Sequence, residues 1–345
     1  MRCALQRLTV VLMLMASALG CVCEAAAPGR TVDVLISNTK GEENLYLSEV
    51  VGSLRSEARR LGFELSLEML GGDELKAVRT KVKDLGGKAT RPLIVLLHSP
   101  QAAKVICEAA TLGSVPIIFL IIDPGRQVLG SFEKAWYIGP NRREPGTMQG
   151  KQLQDFLNSH PSWDRNGNGM LDYVLLKSEK DQQDSVIRSR SFKNALVRRG
   201  IISKAVAEEF SDYGRSAAHS LLNGMLDELG TDNVEAVICT HDVLALGALD
   251  ALAQHGVKGG SIPVLGVDGI TQMIEQIARG EAYATVLQDP QLYAEASLQL
   301  LNSLLSGQDF DAAALSLSND ADGVLHLPLI PITQKEALMF VTLDE

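Results

Sequence analysis

The sequence predicts an α/β fold made of two doubly wound parallel-sheet lobes that are joined by a hinge and enclose a ligand cleft. From residue 31 onward, short runs rich in Val, Ile and Leu alternate with segments of helical period. Continuous apolar runs are typical of parallel strands that helices cover on both faces. There are roughly ten such runs, more than one open sheet comfortably holds, so two lobes are expected.

The predicted strands follow one another along each half of the chain. The first half contains TVDVLIS, FELSLEM, RPLIVLLH, PIIFLII and KAWYIG, and the second contains LDYVLLK, KAVAEEF, VEAVICT, IPVLGV and YATVLQD. Helices are predicted between them because apolar residues recur there at helical spacing. The helix after the first strand presents one such face, formed by Leu47, Val50, Val51, Leu54, Ala58 and Leu61. A second example, after Gly214, is formed by Leu221, Leu222, Met225, Leu226 and Leu229.

The chain is expected to cross between the lobes near Gly139-Pro140-Asn141 and near Gln288-Asp289-Pro290. The predicted N-terminal lobe contains residues 31–140 and 289–322, and the C-terminal lobe contains residues 141–288 and 323–345. Ligands of open parallel sheets bind beyond the carboxyl ends of the strands. Two facing sheets are therefore expected to share one ligand site in the cleft.

Composition and charge exclude some classes of function. The formal net charge is −10, and the basic residues are not concentrated on one segment, so no nucleic-acid surface is expected. Of the five cysteines, Cys107 and Cys239 lie in the predicted body, where each is expected to be a small buried residue without a disulfide. Hydrophobic residues make up 46% of the chain, which is enough to form substantial cores.

The N-terminal segment predicts export. Arg2 and Arg7 precede the apolar run LTVVLMLMASALG, which has the length of a signal-peptide core and is short for a membrane span. We therefore interpret residues 1–20 as a signal peptide. Small residues before Cys21 resemble a relaxed bacterial lipobox, in which this cysteine is lipidated, and ordinary signal-peptidase cleavage nearby is the alternative. A lipid would then be the only membrane anchor.

The stretch DRNGNGMLD, residues 164–172, has the spacing of a calcium-binding loop. Side-chain oxygens and one carbonyl occupy the ligand positions of an EF-hand loop, namely those of Asp164, Asn166, Asn168, Met170 and Asp172. Gly169 falls at the sharp turn. The last ligand position, which normally carries a bidentate Glu, is Leu175. The alternative is a glycine-rich surface turn without a metal.

Several segments together resemble the periplasmic D-galactose/D-glucose-binding proteins, the solute receptors of bacterial ABC importers with the type 1 periplasmic binding protein fold. The similar segments are SWDRNGNGMLDYVLLKSEKDQQDSVIRSRSF, VEAVICTHDVLALGALDAL, SIPVLGVDG, ATVLQD and KAWYIGPNRREPG, and the resemblance extends from about residue 31. It implies that Glu235, at the family's position for a distant glutamate, completes a structural Ca²⁺ site. It also implies a sugar in the cleft, an ABC permease or a chemoreceptor as partner, a periplasmic location and a monomer.

The resemblance further implies a set of sugar-binding residues. Asp184, Arg188 and Asp268 match the family's binding acids and arginine, and Tyr213 matches its stacking tryptophan. Such groups suit a pyranose, which needs an aromatic face and charged groups around its hydroxyls. Taken singly, Asp184 and Arg188 are also explained by an i,i+4 ion pair or an N-cap. Asp268 is also explained by a strand-end turn, and Tyr213 as a half-buried tyrosine.

The chain departs from the family at several positions. His241 and Gln288 replace asparagines, Gln182 replaces a histidine, and Ile121 falls where an asparagine would meet a hydroxyl. An insertion near the start blurs the register there. The candidates for the family's acid and stacking aromatic are therefore Glu43 and either Leu45 or Tyr46. Because polar sites reject mispaired hydroxyls strongly, these changes predict either an altered sugar preference or the loss of sugar binding.

Several other functions are alternatives to a sugar receptor of an importer. A pentose or nucleoside receptor and a sensor that transports nothing keep the same fold. A transcription regulator is disfavoured because an export signal stands where a DNA-binding motif should be. The six histidines are scattered, which disfavours a transition-metal receptor. Asp184 and Asp268 resemble a glycosidase pair, but an acid beside Arg188 is held ionised, so no enzyme is expected.

Overall fold

The structure is a computed structural model, and it describes residues 30–37, 44–180, 182–320 and 323–340. The predicted signal peptide, the lipidation site at Cys21 and the candidate Glu43 lie outside these ranges. Among the residues inside them, no helix has both the length and the apolar character needed to cross a membrane.

Strands and helices alternate along nearly the whole described chain. The strands are β1 (Thr31–Ser37), β2 (Glu64–Leu70), β3 (Leu93–Leu96), β4 (Ile117–Leu120), β5 (Ala135–Gly139), β6 (Leu171–Lys177), β7 (Ser203–Phe210), β8 (Ala236–Cys239), β9 (Val264–Leu265), β10 (Thr285–Leu287), β11 (Ser318–Asp320), β12 (Val324–His326) and β13 (Ile330–Ile332). The helices are α1 (Leu45–Leu61), α2 (Glu74–Asp84), α3 (Pro100–Gly113), α4 (Arg126–Leu129), α5 (Glu144–Ser159), α6 (Gln183–Arg198), α7 (Arg215–Leu229), α8 (Asp242–Gln254), α9 (Thr271–Ala278), α10 (Pro290–Ser306) and α11 (Gln334–Phe340). A short 3₁₀ helix covers Thr231–Asn233.

The N-terminal lobe is built on a seven-stranded sheet in the order β11-β12-β5-β4-β3-β1-β2. Its neighbouring strands run parallel, except for the antiparallel β11–β12 pair at one edge. Successive residues of β1 face different cores: Val34 belongs to the cluster that contains Leu54 of α1, and Leu35 to the cluster that contains Ile106 of α3. Helices thus cover both faces, which is why the strand sequences are continuously apolar.

The C-terminal lobe is built on four parallel strands in the order β7-β6-β8-β9. Single parallel bridges, Leu265 with Ala284 and Asp268 with Leu287, extend this sheet to the segment of β10, which pairs with β13 in antiparallel fashion. Every residue of β6 is buried. The predicted α/β architecture with parallel sheets is confirmed.

One predicted lobe boundary is wrong. The sequence analysis assigned residues 323–345 to the C-terminal lobe, but β12 pairs in parallel with β5, and the Leu327 N–H donates to the Gly139 carbonyl. The pairing buries Leu325 in the N-terminal lobe, so the chain leaves that lobe only after this strand. It then enters β13 beside β10. The two cysteines of the described chain, Cys107 and Cys239, are buried and free, as predicted.

Candidate ligand-binding site

A cavity of about 160 Å³ lies between the carboxyl ends of the two sheets. It is far larger than the ~10–15 Å³ that one water molecule needs. Eight of the nine predicted ligand-binding residues line it, namely Tyr46, Gln182, Asp184, Arg188, Tyr213, His241, Asp268 and Gln288. Of the two candidates for the aromatic position, Tyr46 lines the cavity and Leu45 is not among its lining residues. Ile121, noted as a departure, also lines it.

Sequence reasoning missed other lining residues. They are Ser37, Asn44, Leu47, Leu96, His98, Pro100, Ile122, Asp123, Arg142, Glu179 and Gln183. Many of them share one signal, which is a place at or just beyond the carboxyl end of a parallel strand. Ser37 ends β1, Asp123 follows β4, and Glu179 follows β6. This positional rule alone would have selected them.

Arg188 and Asp268 form a buried pair at the C-terminal side of the cavity. Arg188 Nη1 donates to the Thr240 carbonyl at 2.8 Å and lies 3.5 Å from Asp268 Oδ1. Gln288 Nε2 also donates to Asp268 Oδ1, at 2.8 Å. Burial raises the pKa of Asp268 to about 6, while Arg188 and Gln288 oppose that shift. The contacts named here use only Nη1 of the Arg188 guanidinium and only Oδ1 of the Asp268 carboxylate.

Asp184 pairs with Arg142, which was not among the predicted site residues. Arg142 Nε donates to Asp184 Oδ1 at 2.6 Å. The alternative i,i+4 ion pair between Asp184 and Arg188 is not formed, because Arg188 turns toward Asp268. Asp184 is also not the N-cap of α6, a position held by Gln182. Two of the four carboxylates that line the cavity, those of Asp184 and Asp268, therefore face a guanidinium group.

His241 is held in one orientation by a network of hydroxyls. Ser185 Oγ donates to the Ser178 carbonyl, so toward Thr240 Oγ1 it accepts. The Thr240 hydroxyl therefore donates its hydrogen bond to Ser185 Oγ, and Thr240 Oγ1 accepts from the Ser178 N–H. Toward His241 Nδ1, which lies 3.1 Å away, Thr240 Oγ1 can then only accept. When all these bonds form together, His241 Nδ1 carries the proton and Nε2 is an acceptor. Burial, followed by Arg188 and His98, lowers the pKa of His241 well below its ordinary value.

Two tyrosines join the lobes across the cavity. The Tyr46 hydroxyl of α1 donates to the Gln288 carbonyl at 3.1 Å, and the Tyr213 hydroxyl donates to Asn44 Oδ1 at 3.4 Å. The Tyr213 ring lies 5.5 Å from that of His241 at an angle of 77°. Burial raises the pKa of both hydroxyls, so both stay neutral donors.

A carboxylate of one lobe also caps a helix of the other at the rim. Glu49 Oε1 of α1 accepts from the Thr271 N–H at 3.0 Å and from its hydroxyl at 2.8 Å. Thr271 begins α9, whose own N-cap residue, Ile270, makes no side-chain cap. Because the N-terminus of a helix carries unpaired N–H groups and a partial positive charge, this contact stabilises the approach of the lobes.

Two lining residues have strained backbones. Ile121 has φ 69° and Asp268 has φ 124°, values that non-glycine residues seldom adopt. Each costs of order 1–3 kcal/mol and persists only where the surroundings enforce it. Such strain is found preferentially at functional sites, which agrees with a binding role for this cavity.

The predicted calcium loop turns through two glycines of positive φ, Gly167 at 72° and Gly169 at 75°. Glu235 reaches it from before β8, accepting from the Arg165 N–H at 2.7 Å and the Asp172 N–H at 2.8 Å. The six predicted ligands, Asp164, Asn166, Asn168, Met170, Asp172 and Glu235, are thus gathered at one place in the C-terminal lobe.

The carboxylate of Asp172 distinguishes this loop from an ordinary turn. Its Oδ2 accepts from the side-chain amides of Asn166 and Asn168, at 2.8 and 2.7 Å. Its Oδ1 is buried and has no hydrogen-bond partner in the described chain. Within the described ranges, no group of three or more His, Cys, Asp or Glu side chains is arranged to hold a metal ion. The loop therefore contains an unsatisfied buried oxygen but not a closed cluster of acids.

Comparison with known proteins agrees with this architecture. Residues 36–309 match the model of the periplasmic binding protein domain. The D-galactose/methyl-galactoside binding periplasmic protein MglB of Haemophilus influenzae is 29% identical over 294 residues, which cover 85% of this chain and 87% of that protein. A putative rhizopine-binding protein of Rhizobium meliloti is 22% identical over 72% of this chain and 76% of its own length.

A solved structure with a similar fold is the ABC transporter periplasmic solute binding protein from Actinobacillus succinogenes 130z with bound D-allose. Its TM-score is 0.72 at 16% sequence identity, covering 90% of this chain and 99% of that one. At this identity the similarity establishes the fold alone. Together with the match over residues 36–309, it shows that this chain belongs to the periplasmic binding protein domain family.

Proposed function

We propose that this protein is the sugar-binding component of an ABC importer, located in the periplasm, and that it closes its lobes on glucose, galactose or a similar small sugar. The observation that carries the proposal is the convergence of eight predicted ligand-binding side chains on one cavity at the carboxyl ends of both sheets. The Haemophilus influenzae relative is named as a galactose- and methyl-galactoside-binding protein, which supports this class of ligand.

The charges of the cavity favour a ligand rich in hydroxyls and disfavour an anion. Arg142 lies against Asp184, and Arg188 against Asp268, so each of these charges already has a counter-charge. Charged groups held in this way are strong partners for hydroxyls, and two further carboxylates of the lining, Asp123 and Glu179, add negative charge. The relatives of this chain that are named above are likewise binding proteins. We therefore propose a receptor and not an enzyme.

The aromatic residues complete a sugar site. Tyr46 and Tyr213 come from opposite lobes and both line the cavity. Aromatic rings pack against the apolar C–H face of a pyranose, while their hydroxyls stay hydrogen-bonded at the rim. His241 Nε2 adds an acceptor for one ligand hydroxyl.

Closure of the lobes would report the bound sugar to the permease. The bonds from Tyr213 to Asn44 and from Thr271 to Glu49 join the lobes and exist only when these approach each other. A ligand that contacts both lobes shifts the hinge equilibrium toward the closed form by its difference in affinity for the two forms. The permease, or a chemoreceptor in a signalling variant, recognises that form.

Calorimetric titration of the purified mature protein with D-glucose and D-galactose tests the proposal. We expect saturable binding of at least one of them, and at least a tenfold loss in Asp268→Asn because Arg188 then stays buried without its counter-charge. The matched control is Asp250→Asn, which breaks the exposed pair with Arg215 and should keep the affinity. Absence of binding by either sugar, or an Asp268→Asn variant as tight as the wild type, would contradict the proposal.

We also propose a structural Ca²⁺ in the loop of residues 164–172. Carboxylate, amide and carbonyl oxygens are the ligands that Ca²⁺ takes, and the unpartnered buried Oδ1 of Asp172 fits a cation better than an empty turn. Asp164, Asn166, Asn168, Asp172, Glu235 and the Met170 carbonyl would hold it. When bound, the ion would tie the loop to β6 and to the start of β8.

A chelator should lower the melting temperature of calcium-loaded protein, and Glu235→Ala should abolish the difference. The control is Asp232→Asn, an exposed residue paired with Arg165 at the edge of the same loop, which should keep the calcium response. A wild-type melting temperature that is insensitive to both calcium and chelator would refute the site.

The lipid anchor remains a proposal on the sequence around Cys21. Detergent-phase partition of the native protein, removed by Cys21→Ser, is the expected result. Partition of both proteins into the aqueous phase would overturn it.

A further inference from the structure

The two sides of the cavity differ in chemistry. All lining residues that the C-terminal lobe contributes in the described chain are polar or aromatic. The N-terminal lobe instead contributes an apolar wall, formed by Leu47, Leu96, Pro100, Ile121 and Ile122. The wall is partial, because the same side also contributes Asn44, Tyr46, His98, Asp123 and Ser37, and the buried Oγ of Ser37 has no partner in the described chain. A ligand therefore meets hydroxyl-binding groups on the C-terminal side and a mixed surface on the other side, where the part around Ile121 is apolar.

Ile121 is fixed in this wall by its backbone. Its φ of 69° is an outlier for a β-branched residue. The Ile122 N–H donates to the Leu120 carbonyl at 2.7 Å and so closes a three-residue turn around Ile121. The Ile121 N–H donates to the Ile138 carbonyl at 2.9 Å, and its own carbonyl accepts from the Tyr137 hydroxyl at 3.1 Å. Every polar atom of this residue is thus engaged, and only a hydrocarbon side chain remains for the ligand.

We infer that the cleft selects a deoxy sugar, lacking the hydroxyl that would face Ile121, and that Ile121 is the residue that determines this specificity. The inference rests on the proposed function and names the ligand class of the same site. A hydroxyl buried against Ile121 would lose its water without gaining a partner, whereas C–H or methyl groups there bury apolar surface. The expected discrimination against the hydroxylated parent is about tenfold or more.

The test is calorimetric titration of the mature protein with D-glucose, D-galactose and the 2-, 3-, 4- and 6-deoxy derivatives of each. We expect one deoxy sugar to bind about tenfold or more tightly than its parent, which also identifies the ring position facing Ile121. If every parent sugar that binds does so as tightly as its deoxy derivatives, this inference is overturned while the proposed function stands. If none of these sugars binds, both this inference and the proposed function are overturned.

Two variants separate the side chain from the strain. Ile121→Asn introduces a hydrogen-bonding group through the residue that best tolerates positive φ after glycine, and it should reverse the preference toward the parent sugar. Ile121→Gly relieves the strain and opens the wall to water, so the preference should disappear. A cooperative thermal unfolding transition in both variants shows that they fold. Ser114→Asn, at a φ of 54° outside the cavity, should keep the wild-type preference, and an Ile121→Asn variant that does the same would overturn the inference.

Discussion

His241 offers a quantitative test of the electrostatics of the cavity. The side chain is 8% exposed, and its imidazole lies near Arg188 and His98. Burial disfavours the charged form, and the neighbouring positive charge adds to that effect, so the pKa of His241 is well below its ordinary value. In the unfolded chain this residue regains a pKa of about 6.5. The variant His241→Asn tests this difference in pKa between the folded and the unfolded chain, because asparagine is polar but takes up no proton in this pH range.

The sign and size of the effect follow from linkage. Because the folded-state pKa is depressed, only the unfolded chain takes up the proton as pH falls through about 6.5. The neutral imidazole therefore contributes stability above that pH, and the contribution is lost below it. Between pH 7.5 and pH 5.5 the free energy of unfolding should fall by about 1.4 kcal/mol, because pH 5.5 lies one unit below the unfolded-state pKa and each unit corresponds to about 1.4 kcal/mol.

Urea unfolding at pH 7.5 and at pH 5.5 measures this difference. The free energy of unfolding of the wild type, minus that of His241→Asn, should fall by about 1.4 kcal/mol at the lower pH. Asp268, with a pKa raised to about 6, has the opposite pH dependence, but it is present in both proteins and its contribution cancels. The control for replacing a histidine is His219→Asn, at a half-buried position of α7 outside the cavity. Equal pH dependence in the wild type and His241→Asn would refute the reasoning.

Other predictions concern closure and packing. Glu49→Ala removes the carboxylate that caps α9 across the rim, so sugar affinity should fall several-fold, while Glu49→Gln keeps an acceptor and most of the affinity; equal titrations for all three would contradict this. Leu222→Ala, at a fully buried position of α7, should cost about 2–5 kcal/mol in urea unfolding, and a loss below ~1 kcal/mol would count against the core assignment. Gly146→Ala places a Cβ 2.1 Å from the Arg188 carbonyl, so it should destabilise the protein by about 1–3 kcal/mol and weaken sugar binding. Gly224→Ala is the control, because its added Cβ would meet no atom within 4 Å, and it should leave the stability unchanged or raise it. A Gly146→Ala variant as stable as Gly224→Ala would contradict the packing of α5 against α6.

The sequence by itself determined the architecture, and its resemblance to a known family pointed to eight of the residues that line the cavity. Alternation of apolar runs with helical periods is a local property, because each strand or helix must carry its own buried faces. The rule that parallel strands present their carboxyl ends to a ligand then placed residues such as His241 and Asp268 at one edge. The spacing of the calcium loop was likewise recognisable, since all but one of its predicted ligands lie within the nine residues 164–172.

The tertiary structure decided how these groups are paired. Arg142 with Asp184, Arg188 with Asp268 and Glu49 with Thr271 are separated in sequence by 42, 80 and 222 residues, so no periodicity connects them. The return of β12 to the N-terminal lobe depends on an open sheet edge beside β5, which is a property of the assembled sheet. The left-handed backbone of Ile121 is enforced by the Tyr137 hydroxyl and by the neighbouring strand, which hold the residue against its own preference.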